Sequence, residues 1–205
     1  MTYRNVVRWP NKSVLKSCAE VDNFDEKLNA LVIDMIDTCN VDLGIGLAAN
    51  QIGVSKRVVV IKPSAFGFDN GDPHDYNSEF MVLVNPVLKN AGDMINWKEA
   101  CLSVPGVEGT VSRHSETVVE YQTVNGESKS LIAEWPLSGG LQHECDHLDG
   151  KLFISRMSRG SRHLAISKYV KEEKKKARAE KREAAKNMPK PTIKSKRKRK
   201  KARKR

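Results

Sequence analysis

The 205-residue sequence predicts an α+β fold, with mixed or antiparallel sheets packed around one central helix. Three observations lead there. Helical and strand-like stretches are mixed without the regular βαβ order that builds a parallel sheet. Two alternating stretches flank Asn125-Gly126, a hairpin signal, so neighbouring strands run antiparallel. A short stretch, QHECDHLDG (142–150), places two histidines and a glutamate at helical spacing between segments that read as strands and a long helix.

The elements follow in order. Residues 25–42, DEKLNALVIDMIDTCNVD, predict a helix, because Leu28, Leu31, Val32, Met35 and Ile36 form one apolar stripe. Asn23 or Asp25 can cap its start, and the helix should stop before Gly44. GIGLAANQIG follows as a small-residue loop, and RVVVIK (57–62) as a buried strand. Residues 63–79, rich in Gly, Pro and Asp, read as a surface loop. FMVLVNPVL (80–88) reads as a strand whose Pro86 marks an edge or an end. ETVVEYQTV (116–124) and SKSLIAEW (128–135) make the hairpin, with a type I′ turn expected at Asn125-Gly126. Pro136 suits a helix start, residues 137–149 form the central helix, and Gly150 suits the left-handed position after it. A long helix should run from Ser161 towards Asn187, with Leu164, Ala165, Tyr169 and Val170 as its docking face.

Charge divides the chain in two. Residues 171–205 hold 19 Lys and Arg against 4 Glu, while residues 1–170 hold 17 basic and 21 acidic side chains. The expected organisation is a mildly acidic catalytic domain over 1–170 and a basic extension over 171–205, helical to about residue 187 and then solvated. No apolar run reaches the roughly 20 residues needed to span a bilayer. The start lacks signal- or transit-peptide character. Four cysteines in this length form no disulfide framework, so a reducing cytoplasm is expected and thiols are free to bind metal.

On a helix, residues four apart are offset by about 40° around the axis, so His143 and His147 can hold one ion from one face. Glu144 lies beside them as a base for water, which is the physical sense of H-E-x-x-H. Two ordinary surface histidines remain the plain alternative. A catalytic site needs a third protein ligand. Downstream, His163, Glu172 and Glu173 lie in the basic region without a supporting motif; upstream, Cys101 in EACLSVPG (99–106) is the better candidate, although a free cysteine is often just a small buried hydrophobe.

Three stretches, GIGLAANQ (44–51), EACLS (99–103) and QHECDHLDG (142–150), together resemble the signature motifs of peptide deformylases. RWPNKSVLKSCAEV (8–21) and GKLFISRM (150–157) resemble that family too, so the likeness covers about residues 5–170. One position departs: Ala100 stands where the family's E-G-C-L-S has glycine, which matters if that backbone needs a positive φ.

The resemblance implies a metal-dependent hydrolase that removes the N-formyl group from the N-terminal formyl-methionine of nascent polypeptides. It assigns the metal to Cys101, His143 and His147, proton transfer to Glu144, and stabilisation of the developing oxyanion to the Gln51 amide and the Leu102 N–H. It implies one ferrous ion, with Zn²⁺, Ni²⁺ or Co²⁺ able to take its place. Ile45, Gly46 and Ala100 can pair with an extended substrate, while Ile45, Trp97, Gly139 and Gly140 are candidate walls of the methionine pocket. The two glycines are expected to widen that pocket. Glu99, also expected near the substrate, can form an ion pair with Arg113; Cys145 should point away from the metal, and Cys18 and Cys39 have no assigned role.

The basic tail suits contact with ribosomal RNA near the point where substrate emerges, and with no aromatic residue beyond Tyr169 it cannot stack on bases. A monomer is expected, in the cytoplasm of a bacterium or encoded by a virus of bacteria. Two other readings stay open on the residues alone. One is an H-E-x-x-H endopeptidase with a downstream third ligand; the other is an RNA-binding protein that has lost catalysis.

Overall fold

The VVVI run of residues 58–61 is apolar at every position, which suits a strand covered on both faces. The computed structural model, which describes residues 3–68 and 79–187, shows how that arises. Strands β1 (Gly46–Ala48), β2 (Val58–Ile61), β3 (Met81–Ala100), β4 (Glu108–Gln122) and β5 (Ser128–Glu134) form one antiparallel sheet in sequence order. Because side chains alternate along a strand, Val58 and Val60 face one core, and Val59 and Ile61 face another. The first core is closed by helix α1 (Glu26–Val41) through Leu28, Val32, Met35 and Cys39. The second is closed by helix α2 (Leu137–Leu148) through Leu137, Leu141 and Leu148. Burying one such Val or Leu side chain contributes roughly 1.5–3 kcal/mol, so β2 anchors both layers.

Helix α1 starts where Asp25 accepts hydrogen bonds from the N–H groups of Lys27 and Leu28, a cap that typically contributes about 1 kcal/mol. Helix α2 is buried along almost its whole length, His143 alone being slightly exposed, its side chain at 11%. Its C-terminus is sealed by the N-terminal segment: Cys18 N–H donates to the Leu148 carbonyl, and Gly150 takes φ 70° against the Leu15 backbone, where a Cβ would lie 2.7 Å from Leu15. Helix α3 (Phe153–Arg156) and helix α4 (Arg159–Asn187) follow. The chain divides into two compact units, Met1–Ile166 and Ser167–Arg205; the described part of the second is the basic remainder of α4. No helix among the described residues is long and apolar enough to cross a membrane.

Five expectations need correction. GIGLAANQIG is not a loop throughout, since Gly46–Ala48 is strand β1 and Ala49–Ile52 a 3-10 turn. Of the two readings of Pro86, the edge holds and the strand end does not; β3 runs on to Ala100 past an irregularity between Val84 and Val87, where Asn85 takes φ 51°. Beyond that point β3 pairs with β4 alone, so proline sits at a break in the ladder where no N–H is required. The hairpin turn is not type I′: of its residues only Gly126 has positive φ, at 83°, and Thr123 N–H donates to the Glu127 carbonyl across a three-residue loop. Within the stretch expected to be surface loop, Pro63–Phe66 is a 3-10 turn with Phe66 buried; residues 69–78 lie outside the described residues. Leu164 is 72% exposed and does not belong to a docking face.

Candidate metal centre and active site

The three expected ligands meet. Cys101 Sγ and one ring nitrogen from each of His143 and His147 lie within 4.8 Å of one another, with Cys101 Sγ 3.2 Å from His147 Nε2. Helix α2 presents both histidines, and the end of β3 delivers the cysteine, which is why residues so distant in sequence converge. Buried, close-set thiolate and imidazole donors fit a borderline-soft divalent cation. The two histidines are prepared differently. His147 is buried, and burial followed by the nearby His143 and Arg113 charges keeps it neutral, as a ligand must be. For His143 burial also opposes charge, but Cys101 and Glu99 outweigh it and favour positive charge there, which is what a cation supplies.

Glu99 fixes His143. Its Oε2 lies 2.7 Å from His143 Nδ1, Arg113 donates to both its oxygens at 2.7 and 3.0 Å, and Trp97 Nε1 donates to Oε1 at 3.0 Å. Burial pushes against its charge, yet these donors pull the carboxyl down to about 2. The expected Glu99–Arg113 ion pair is present, and both oxygens of Glu99 are committed to it and to its neighbours. Arg113, 1% exposed, also pairs with Asp146, and Asp146 with Arg156.

Glu144 differs from all of these. Its Oε2 is buried with no hydrogen-bond partner among the described residues, and burial raises its carboxyl to about 7. Gly46 makes room for it: a Cβ there would lie 2.6 Å from Glu144 Oε1. Gln51 is held by the Ala48 N–H donating to its Oε1 at 2.8 Å, so its Nε2 points at Ser103 Oγ (3.2 Å) and Cys101 Sγ (3.5 Å). The N-terminal motif braces this region, with Val7 N–H donating to the Gln51 carbonyl and Trp9 N–H to the Ser103 carbonyl.

A cavity of about 580 Å³ opens onto these groups, lined among others by Leu43, Ile45, Gly46, Phe66, Trp97 and Gly140. Gln51, Glu99, Ala100, Leu102, His143 and Glu144 also line it. Gly139 does not. The space beside it is taken by Trp135, 2.8 Å from where its Cβ would be, and by Trp97. Gly140 does not widen the cavity either, since Phe66 Cζ would lie 2.5 Å from a Cβ there, so an aromatic ring fills what the glycine leaves. Phe66 and Leu43 carry no motif signal in the sequence, whereas Ser103 stands within EACLS. Ala100 ends β3 without a positive φ, so the absent glycine costs no backbone strain. Cys145 is buried outside the ligand cluster.

A sequence model of the family described as polypeptide deformylase matches residues 3–163. The chain is 37% identical over 172 residues to a peptide deformylase of Pelagibacter ubique, covering 83% of this chain and 95% of that one. It is likewise 37% identical over 168 residues to one from Aquifex aeolicus, covering 82% and 95%. The fold superposes on a crystal structure of a peptide deformylase from Legionella pneumophila with a TM-score of 0.74, at 36% identity, over 86% of this chain and 98% of that one. A family model matching most of the chain, a fold shared with a solved peptide deformylase, and relatives matched across nearly their whole length leave one conclusion: the chain belongs to the polypeptide deformylase family.

Proposed function

We infer that this cavity is where the chain carries out its reaction, with Cys101, His143 and His147 as metal ligands and Glu144, Gln51 and Leu102 as the reacting groups. The chain is a hydrolase that removes the N-formyl group from N-terminal formyl-methionine of new polypeptides and releases formate. The observation that carries the assignment is the convergence of three candidate ligand atoms beside the one buried carboxylate oxygen left without a partner among the described residues. A divalent cation at the three ligands supplies Lewis acidity and a lowered pKa for water. The donor set suits Fe²⁺ and Zn²⁺ alike, and ferrous iron is the proposed native ion.

Glu144, raised to about 7, is poised to accept a proton from the attacking water and return it to the leaving amine. Gln51 Nε2 and the Leu102 N–H donate to the formyl oxygen as its charge develops. The edge strand β1 near Ile45 and Gly46, which line the cavity together with Ala100, receives the peptide backbone as an added strand. Trp97, Ile45, Phe66 and Gly140 enclose the methionine side chain.

The H-E-x-x-H endopeptidase and the inactive RNA-binding reading are not favoured, given the family and the upstream cysteine ligand. An anaerobic formate-release assay on formyl-Met peptides tests the assignment. Metal-dependent turnover that fails in Cys101→Ala is expected; full activity in that variant would remove Cys101 from the ligand set.

The same reading takes residues 1–170 as the catalytic domain, working as a cytoplasmic monomer, and the basic extension as a contact for ribosomal RNA. Residues 167–187 alone carry 9 Lys and Arg against 4 Glu. The charge run over 188–205 lies outside the described residues. Co-sedimentation with ribosomes should weaken steeply with salt and be lost on truncation after Tyr169. Equal binding by the truncated chain would refute it.

A further inference from the structure

We propose that Leu43 is a specificity-determining residue that contacts an apolar side chain at the second or third position of the formylated peptide. This rests on the reaction assigned above and extends it beyond the first residue.

Two observations carry the proposal independently. The first is backbone conformation. Helix α1 ends with Gly44 N–H donating to the Cys39 carbonyl at 2.8 Å and Leu43 N–H to the Asn40 carbonyl at 3.2 Å. That pair of bonds places the residue after the cap in the left-handed region, normally glycine's place. Here it is leucine at φ 54°, where Cβ crowds the following carbonyl. Among the described residues the other non-glycine with positive φ is Asn85, and its side chain explains it by bonding Val21 N–H, the Val21 carbonyl and Gln122. At Leu43 the compensation comes from the backbone capping bonds, which glycine would make without crowding, and not from the side chain.

The second observation is exposure and place. Leu43 is 89% exposed, so it packs little against its own fold. It nevertheless lines the cavity that holds Glu144 and His143, alongside Leu102, Pro105 and the 49%-exposed Ile45. These residues form an apolar rim. Gly46 lies beside Glu144, and Leu43 stands three residues before it, in the turn that closes α1 ahead of β1. A peptide whose formyl group lies at Glu144 and Gln51, and whose first side chain fills the inner cavity, presents its second and third side chains to the exposed part of the lining, where Leu43 stands. The cap requires the left-handed backbone but not a leucine, so a leucine kept there at the mouth of the site points to a role in binding.

The test compares kcat/KM for formyl-Met-Leu-Leu and formyl-Met-Ala-Ser in the metal-loaded full chain and in three variants. Leu43→Asn tolerates the left-handed conformation but removes the apolar contact; Leu43→Met keeps it; Leu43→Gly relieves the backbone. The Leu-Leu to Ala-Ser ratio should fall about four- to tenfold in the Asn and Gly variants and stay near the wild-type value in Met. The melting temperature of Leu43→Gly should equal or exceed that of the wild type. An unchanged ratio in Asn and Gly would overturn the assignment, as would a lower melting temperature in Gly, which would give Leu43 a structural role. Absence of formate release from either peptide by the wild type would instead overturn the reaction itself.

Discussion

Helix α2 has two polar faces that were built for opposite purposes. On the rear, Gln142 pairs with both the N–H and the carbonyl of His114, and Asp146 is held between Arg113 and Arg156. On the front, Glu144 Oε2 and His147 Nδ1 are buried with no partner among the described residues. Buried polar groups left unpaired cost roughly 1–3 kcal/mol each, so the front is destabilising and the rear offsets it. The difference separates what holds the helix from what the helix is proposed to do: on α2 itself, the unpaired buried atoms belong to two residues of the proposed site, while Asn50 Oδ1 and His114 Nδ1 are the other unpaired buried side-chain atoms among the described residues.

Glu144→Gln should break this contrast most visibly. Losing the proton acceptor is expected to lower formate release by about 10²–10⁴-fold in kcat. The same change should stabilise the metal-free protein. A carboxyl raised from 4.5 to about 7 in the fold favours its protonated form, so folding loses stability as pH rises through that interval. At pH 8 the Gln variant should gain on the order of 1–3 kcal/mol in denaturant melts, and the gain should vanish near pH 4. Equal stability at both pH values would mean that Glu144 is solvated.

Arg113→Ala attacks the rear. It would leave Glu99 and Asp146 buried without their shared cation, a loss of about 3–5 kcal/mol. Because Glu99 orients His143, metal affinity should also drop by about 10- to 100-fold, measurable by competition with a chelator. A variant that folds as well as the wild type and binds metal as tightly would show that the two faces are uncoupled.

The contrast also explains what was legible in the sequence. Local, periodic features came through: the α1 stripe, the buried VVVI strand, and the His143-Glu144-His147 spacing that helical geometry alone puts on one face. The proposed third ligand was recognisable because thiolate chemistry and a motif marked Cys101, which the fold brings beside both histidines. The pocket walls were not, because they depend on what fills a space. Gly139 and Gly140 suggest room, yet Trp135 and Phe66 occupy it, and Phe66 lies in a stretch whose composition reads as loop. Leu43 is equally silent in the sequence, since its meaning lies in a φ angle. Residues 63–66 and 43 act through tertiary placement, which no periodicity encodes.

Acid should sharpen the comparison further. Glu99 lies at about 2 in the fold against an ordinary 4.5, so its contribution to stability is complete above 4.5 and is lost as pH falls towards 2. Acid unfolding of the wild type should therefore steepen across that window, and Glu99→Gln should flatten it. An identical acid profile in the variant would remove Glu99 from the network.

The smallest expected effect concerns Gly140 and Phe66. A methyl group at 140 would sit 2.5 Å from Phe66 Cζ and 3.3 Å from Ile61 Cδ1, so the ring must move. Overpacking of this kind costs about 1–3 kcal/mol. If the ring instead swings into the cavity it narrows the space for the first side chain, and KM for formyl-Met peptides rises while kcat changes less. Phe66→Leu shortens the side chain that the new methyl meets, so the double variant Gly140→Ala with Phe66→Leu should recover part of both losses. A coupling energy of about 0.5–3 kcal/mol in the double-mutant cycle is expected for residues in such contact. Additive losses would mean that ring and glycine do not share one space, and that the pocket wall at Gly140 is set by the backbone of α2 alone.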